Sequence, residues 1–176
     1  MKNLNKFSSY TLYITCLSGA VWLGSYITRL FVTYRLFQEK DFVLKDYVTP
    51  QNLDGIFSTL LPAFWVTLAS YSVFFIFFIL FLVTAKLSLK NNGWLFIITL
   101  IIFLTFPFEA YLMSIDYKVV GLLTSDAFNS AEVLNFIIER FKVFSSFPVI
   151  EIFCYFAVIY LIIFQPLTKK IITEKH

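Results

Sequence analysis

Phe106-Pro107-Phe108-Glu109-Ala110-Tyr111 interrupts a long apolar run first with a proline and then with a carboxylate. Phe147-Pro148-Val149-Ile150-Glu151 repeats that signature at the start of the next apolar run. A run of about 20 apolar residues is the length that crosses a bilayer. An ionisable side chain inside such a run costs ~2.5–3.5 kcal/mol at the centre, so it turns toward the interior of a helix bundle. The two glutamates are therefore expected to meet in one polar layer inside a membrane.

Working outward from these stretches, the whole chain has the same character. Of its 176 residues, 59% are hydrophobic and 14% are charged, and the mean hydropathy is +0.80. A soluble domain carries about 25% charged residues. Long apolar runs absorb the deficit, which places the chain in the membrane class. The 23 phenylalanines suit a lipid-facing surface. The net charge of +3 says little about partners, and nothing suggests nucleic acid.

Four spans are read, at residues 9–31, 60–85, 94–115 and 146–165. The fold class is all-α: an antiparallel bundle of four transmembrane helices, forming a single integral membrane domain over residues 1–176. The first span follows a short lead-in with Lys2 and Lys6, and it is too long for a cleaved signal peptide. Within it Cys16, Ala20, Gly24 and Thr28 recur every four residues, giving a ridge of small side chains. Such a ridge lets another helix approach closely in lipid, either from this chain or from a partner. Gly19-Ala20-Val21-Trp22-Leu23-Gly24 resembles the Gly/Trp-rich first helix of CopD-like small membrane proteins over those six residues. The accompanying histidine is absent, and no function is carried over.

Between spans one and two lies a mixed-charge loop with Arg35, Glu39, Lys40, Asp41, Lys45, Asp46 and Asp54. Thr49-Pro50 reads as a helix start, with a short helix over 50–53 and a turn at Asp54-Gly55. Asn91-Asn92-Gly93 forms a tight connection, which makes spans two and three antiparallel neighbours. Pro107 predicts a kink in span three. Residues 116–144 are the longest connection. In them Asn129 and Glu132 have capping spacing, and Glu132, Asn135, Glu139 and Lys142 share one helical face. Val133, Leu134, Ile137, Ile138, Phe141 and Phe144 cover the other face, so an extra amphipathic helix is expected over 130–144, at the membrane surface or capping the bundle.

Orientation follows from where the positive charges lie. An even number of spans puts both termini on one side, with Lys2, Lys6, Lys86, Lys90, Lys169, Lys170 and Lys175 and only Glu174 as an acid. The other side holds as many basic residues, but in long loops mixed with the remaining acids. The positive-inside rule then places both termini in the cytoplasm, in a plasma (inner) membrane.

Depth arithmetic at 1.5 Å per residue puts Glu109, Glu151 and Arg29 roughly 5–10 Å below the outer boundary. Thr67, Ser70 and Tyr71 of span two and Tyr155 of span four complete a polar intramembrane cluster. Arg29 is expected to bridge the glutamates. Four roles are open to that cluster: a structural pin, side chains reaching the outer interface, a transport or ligand site, and acid–base chemistry on lipid. The inner halves offer only Thr15, Ser18, Thr84 and Thr99, which disfavours a through-channel. No nucleophile, metal set, phosphate loop or cofactor motif accompanies the carboxylates. The lone histidine, His176, removes His-based haem, metal and hydrolytic chemistry, and Cys16 and Cys154 read as packing residues. The expected function is a non-catalytic membrane subunit or scaffold. Its partners would be lipids and other membrane subunits, or further copies of itself. The alternative is a small transporter or a lipid- or small-molecule-binding protein using Glu109 and Glu151.

Overall fold

Three stretches are long and apolar enough to cross a membrane, and each is one continuous helix: α2 (Leu53–Ala85), α3 (Gly93–Leu123) and α5 (Phe147–Phe164). Two more helices, α1 (Lys6–Tyr34) and α4 (Ser130–Val143), are present among the described residues. The computed structural model describes residues 4–38, 42–125 and 129–168, and the architecture among them is all-helical. Lys2, Glu39, Lys40, Asp41 and the basic tail from Lys169 to His176 lie outside the described residues.

α1 is long but less apolar, because Ser8, Thr11, Thr15 and Ser18 run down one of its faces. That face is buried, chiefly against α2. Three of these hydroxyls are satisfied within the helix: Thr11 donates to the Ser8 carbonyl, Thr15 to Thr11 at 2.8 Å and Ser18 to Ile14 at 2.6 Å. Small polar residues thus serve the close contact. At Gly19 an added Cβ would stand 3.0 Å from the ring of Phe74 on α2. The expected ridge of Cys16, Ala20, Gly24 and Thr28 is a different stripe, and it is exposed on this chain. A Cβ added at Gly24 would meet nothing within 4 Å, while Cys16 and Ala20 border a groove shared with α5.

α2 begins earlier than its apolar run suggests. The expected short helix over 50–53 is a turn, in which Asn52 accepts from the Thr49 N–H and donates to the Tyr47 carbonyl. Asp54-Gly55 is helical rather than a turn. Leu53 and Phe57 are buried one turn apart, and only a helix holds both in the core. Asp54 in the first turn also complements the positive end of the helix dipole.

α3 passes through Pro107 without a break and continues two turns beyond Ile115. Residues expected in a loop, Asp116 and Lys118 among them, are therefore helical. The reason is apolar: Val119, Val120 and Leu123 are buried in one cluster with Val133 and Ile137 of α4. α4 is capped by Asn129, which accepts from the Ala131 N–H at 2.9 Å. Its start is tied to α2 by the Ser130 hydroxyl donating to the Asp54 carboxylate. Phe144 and Phe147, either side of the turn into α5, pack against Phe108, and Phe144 also against Tyr111, on α3. At the other end of α5, Gln165 takes a left-handed conformation before Pro166, and the Gly93 N–H donates to the Leu167 carbonyl.

The apolar interior is in two parts. One core gathers Trp22, Tyr71, Phe74, Phe78, Trp94, Ile98, Tyr155 and Val158. The second gathers Phe37, Phe57, Phe64, Val119, Val133 and Ile137. In chain order Arg29 falls between Tyr26 of the first set and Phe37 of the second, and Glu109 and Asp116 fall between the two sets on α3. The boundary between the cores is where the charges lie.

Candidate functional site

Asp116 is the centre of that boundary. Its carboxylate pairs with Arg29 from α1 (Nη1 to Oδ2, 2.5 Å) and with Arg140 from α4 (Nε to Oδ1, 2.7 Å). Asp116 is fully buried, and the two arginines are 3% and 7% exposed, so all three charges are desolvated together. Both guanidiniums also lie over the Tyr26 ring, at 5.8 and 5.6 Å, and Arg29 stacks on Phe64 at 4.9 Å. A cation over an aromatic face gains about 0.5–2 kcal/mol, which offsets part of the desolvation. Burial acts against the charge of Arg140. Asp116 and Glu109 outweigh it and hold that guanidinium above its ordinary value.

Glu109 precedes Asp116 by seven residues, two helical turns, and so shares its face of α3. Glu151 on α5 is its neighbour, and both are fully buried. Tyr26, Tyr71 and Tyr155 surround the pair, with the Tyr26 hydroxyl beside Glu151. None of the four glutamate carboxyl oxygens is matched by a well-formed hydrogen bond from a donor. Below the pair Trp22 closes the layer, 4.4 Å from Tyr155, 5.1 Å from Tyr71 and 5.2 Å from Tyr26 between ring centres.

The residues singled out in the sequence therefore divide. Glu109, Glu151, Tyr71 and Tyr155 come together. Arg29 reaches the same layer, but its ion pair is with Asp116 and with neither glutamate. Thr67 bonds Ser25 of α1 and its own helix, and Ser70 bonds only its own helix. Thr67 thus ties α1 to α2, and neither residue is part of the charge cluster. Asp116 and Arg140 are the site residues that the sequence reading lacks. A signal for each exists: the seven-residue step from Glu109, and the position of Arg140 on the buried stripe of Val133 and Ile137.

Chemically the layer brings three carboxyls against two guanidiniums. It is electroneutral when the glutamates hold one proton between them. Among the described residues no three His, Cys, Asp or Glu side chains are placed to hold a metal ion. The open space nearby is apolar: a groove of about 290 Å³ between α1 and α5, running past Leu12, Gly19, Phe78, Ile98 and Ile162. It lies on the opposite side of Trp22 from the charges.

No family model, curated protein or solved structure matches the chain.

Proposed function

We propose that the protein is a non-catalytic integral membrane protein, a subunit or scaffold of a membrane assembly. On this reading it crosses the plasma membrane four times, through α1, α2, α3 and α5, with both termini cytoplasmic. The assignment of α1 as the fourth span is supported by its 29 residues, which carry only Lys6 and Arg29 as charges. The observation that carries the proposal is the closure of the charge layer. Its five ionisable side chains are almost wholly buried and join α1, α3, α4 and α5. A site that moved a solute needs a continuous polar path, whereas a pin needs only this closure.

The exposed stripe of Cys16, Ala20, Gly24 and Thr28 supports the assembly half of the reading, since small residues on a lipid-facing surface suit close helix contact. Purification in a gentle detergent, followed by mass spectrometry of the intact species, tests it. Co-purifying chains or a defined self-association are expected. A homogeneous single chain would overturn the subunit reading.

The unmatched oxygens of Glu109 and Glu151 favour a second reading, in which the pair holds a proton or small ligand. Replacing both by Gln keeps their shape and removes their charge. Unchanged assembly and unchanged cell physiology in that variant would eliminate the second reading.

A further inference from the structure

Beside the two arginines of the Arg29–Asp116–Arg140 triad is a small, partly open recess of about 20 Å³. Arg29, Arg140, Thr33 and the edge of Tyr26 line it, with Phe64 and Ile137 as apolar walls. A volume of this size has room for a water molecule or a small ion. Its polar lining is one-sided. Guanidinium groups donate hydrogen bonds and cannot accept them, and a hydroxyl brings one donor. Arg140 Nη2 and Thr33 Oγ1 are buried without a partner. The Thr33 hydroxyl differs from those of Thr11, Thr15, Ser18, Ser25 and Thr28, all of which donate to carbonyls of α1.

A water molecule there would receive several hydrogen bonds and find only the hydroxyl oxygens of Thr33 and Tyr26 to accept its own. A monatomic anion has the opposite needs, since it accepts from every side and donates nothing. The local charge agrees: two guanidiniums face the space, and Asp116 answers for one of them.

We infer that this space is a binding site for one small monatomic anion of the halide class, held by Arg29, Arg140 and Thr33. The charge balance of the layer then links the anion to a proton. With one proton shared by Glu109 and Glu151 the layer is neutral, so an added anion keeps it neutral only if a second proton joins the pair. The groups facing that pair are Tyr26 and Arg29 from α1, Tyr71 from α2, Asp116 from α3, Arg140 from α4, and Cys154 and Tyr155 from α5. Of these only the glutamates take up a proton without breaking an ion pair.

The test is thermal unfolding of the full chain in detergent with chloride or bromide exchanged for gluconate at constant ionic strength, from pH 5 to 8. Gluconate is too large for the space. A saturable rise in Tm with either halide is expected. One linked proton weakens the halide dissociation constant by up to tenfold per pH unit as pH rises. Thr33→Val, which removes one hydroxyl and keeps the shape, should weaken halide binding severalfold. Glu109→Gln with Glu151→Gln should keep the halide response and lose its pH dependence. Halide and gluconate giving the same Tm in the wild type and in the double Gln variant would overturn the site, leaving a single water as its occupant. Halide binding with a pH-independent constant in the wild type would overturn the proton linkage.

Discussion

Replacing Asp116 by Asn is the sharpest perturbation of this molecule, because it removes one charge and almost no volume. Asp116 is shared by two guanidiniums at 2.5 and 2.7 Å, in a place where no side chain of the triad is more than 8% exposed. Breaking one buried ion pair from one side costs about 3–5 kcal/mol, since the partner is left charged and uncompensated. Here the same change strands Arg29 and Arg140 together, with Tyr26 between them. The glutamates recover part of the loss by giving up their shared proton, which they can do without moving. The expected net cost is therefore in that range rather than twice it. Reversible unfolding in mixed micelles measures it, with the exposed Glu132→Gln as a surface control. The triple change Arg29→Met, Asp116→Leu, Arg140→Met removes all three charges and should recover most of the stability, as buried ion pairs commonly allow. An Asp116→Asn cost below about 1 kcal/mol, or a triple variant no better than the single one, would refute the pin.

Three further outcomes follow from the same geometry. Arg140→Ala should loosen α4 more than any other helix, read as faster amide exchange over 130–143 with α2 and α5 unchanged. With cytoplasmic termini and four spans, Lys90→Cys should resist an impermeant thiol reagent added from outside, while Ser125→Cys reacts; the reverse pattern would invert the topology. Gly24→Leu should leave the Tm of the isolated chain within a few degrees, because nothing lies within 4 Å of the added Cβ. The same change should abolish association, and association that persists would show that partners use another face.

The sequence made the helices legible where periodicity and apolar length agree. The amphipathic pattern at 130–144 lies over a helix at Ser130–Val143, and the apolar run ending at Pro166 over one at Phe147–Phe164. Apolar length alone failed at helix ends inside the second core. Leu53, Phe57, Val119 and Val120 are spaced among polar residues, so the run looks finished before the helix is. This hides Asp116: an α3 that ends at 115 leaves the carboxylate that holds Arg29 in a loop. Arg140 was hidden differently. A charged residue on a surface helix reads as solvated, and only its alignment with Val133 and Ile137 marks it as buried. The exposure of the Cys16–Thr28 stripe could not be read at all, because the Ser8–Thr11–Thr15–Ser18 stripe offers α2 an equally small surface.

Why the chain keeps five costly groups in one layer follows from the two cores on either side. Both are built from Phe, Leu, Ile, Val and aromatic side chains that pack without strong directional demands. Stacked rings such as Phe75 on Phe106, 4.0 Å apart, tolerate a shift of one helical turn with modest loss. A shift of that size, 5.4 Å along a helix, cannot be made at Asp116 without leaving Arg29 or Arg140 unpaired. Glu109 and Glu151 impose the same limit between α3 and α5. The apolar cores thus supply most of the favourable contact energy, and the charges select one register among packings of similar energy. A buried ionic group is a poor source of net stability and a good source of such selection. This division of labour predicts that the triple apolar variant, though it recovers most of the wild-type stability, should show broadened or multiple conformations by side-chain NMR or by cysteine crosslinking between α1 and α3.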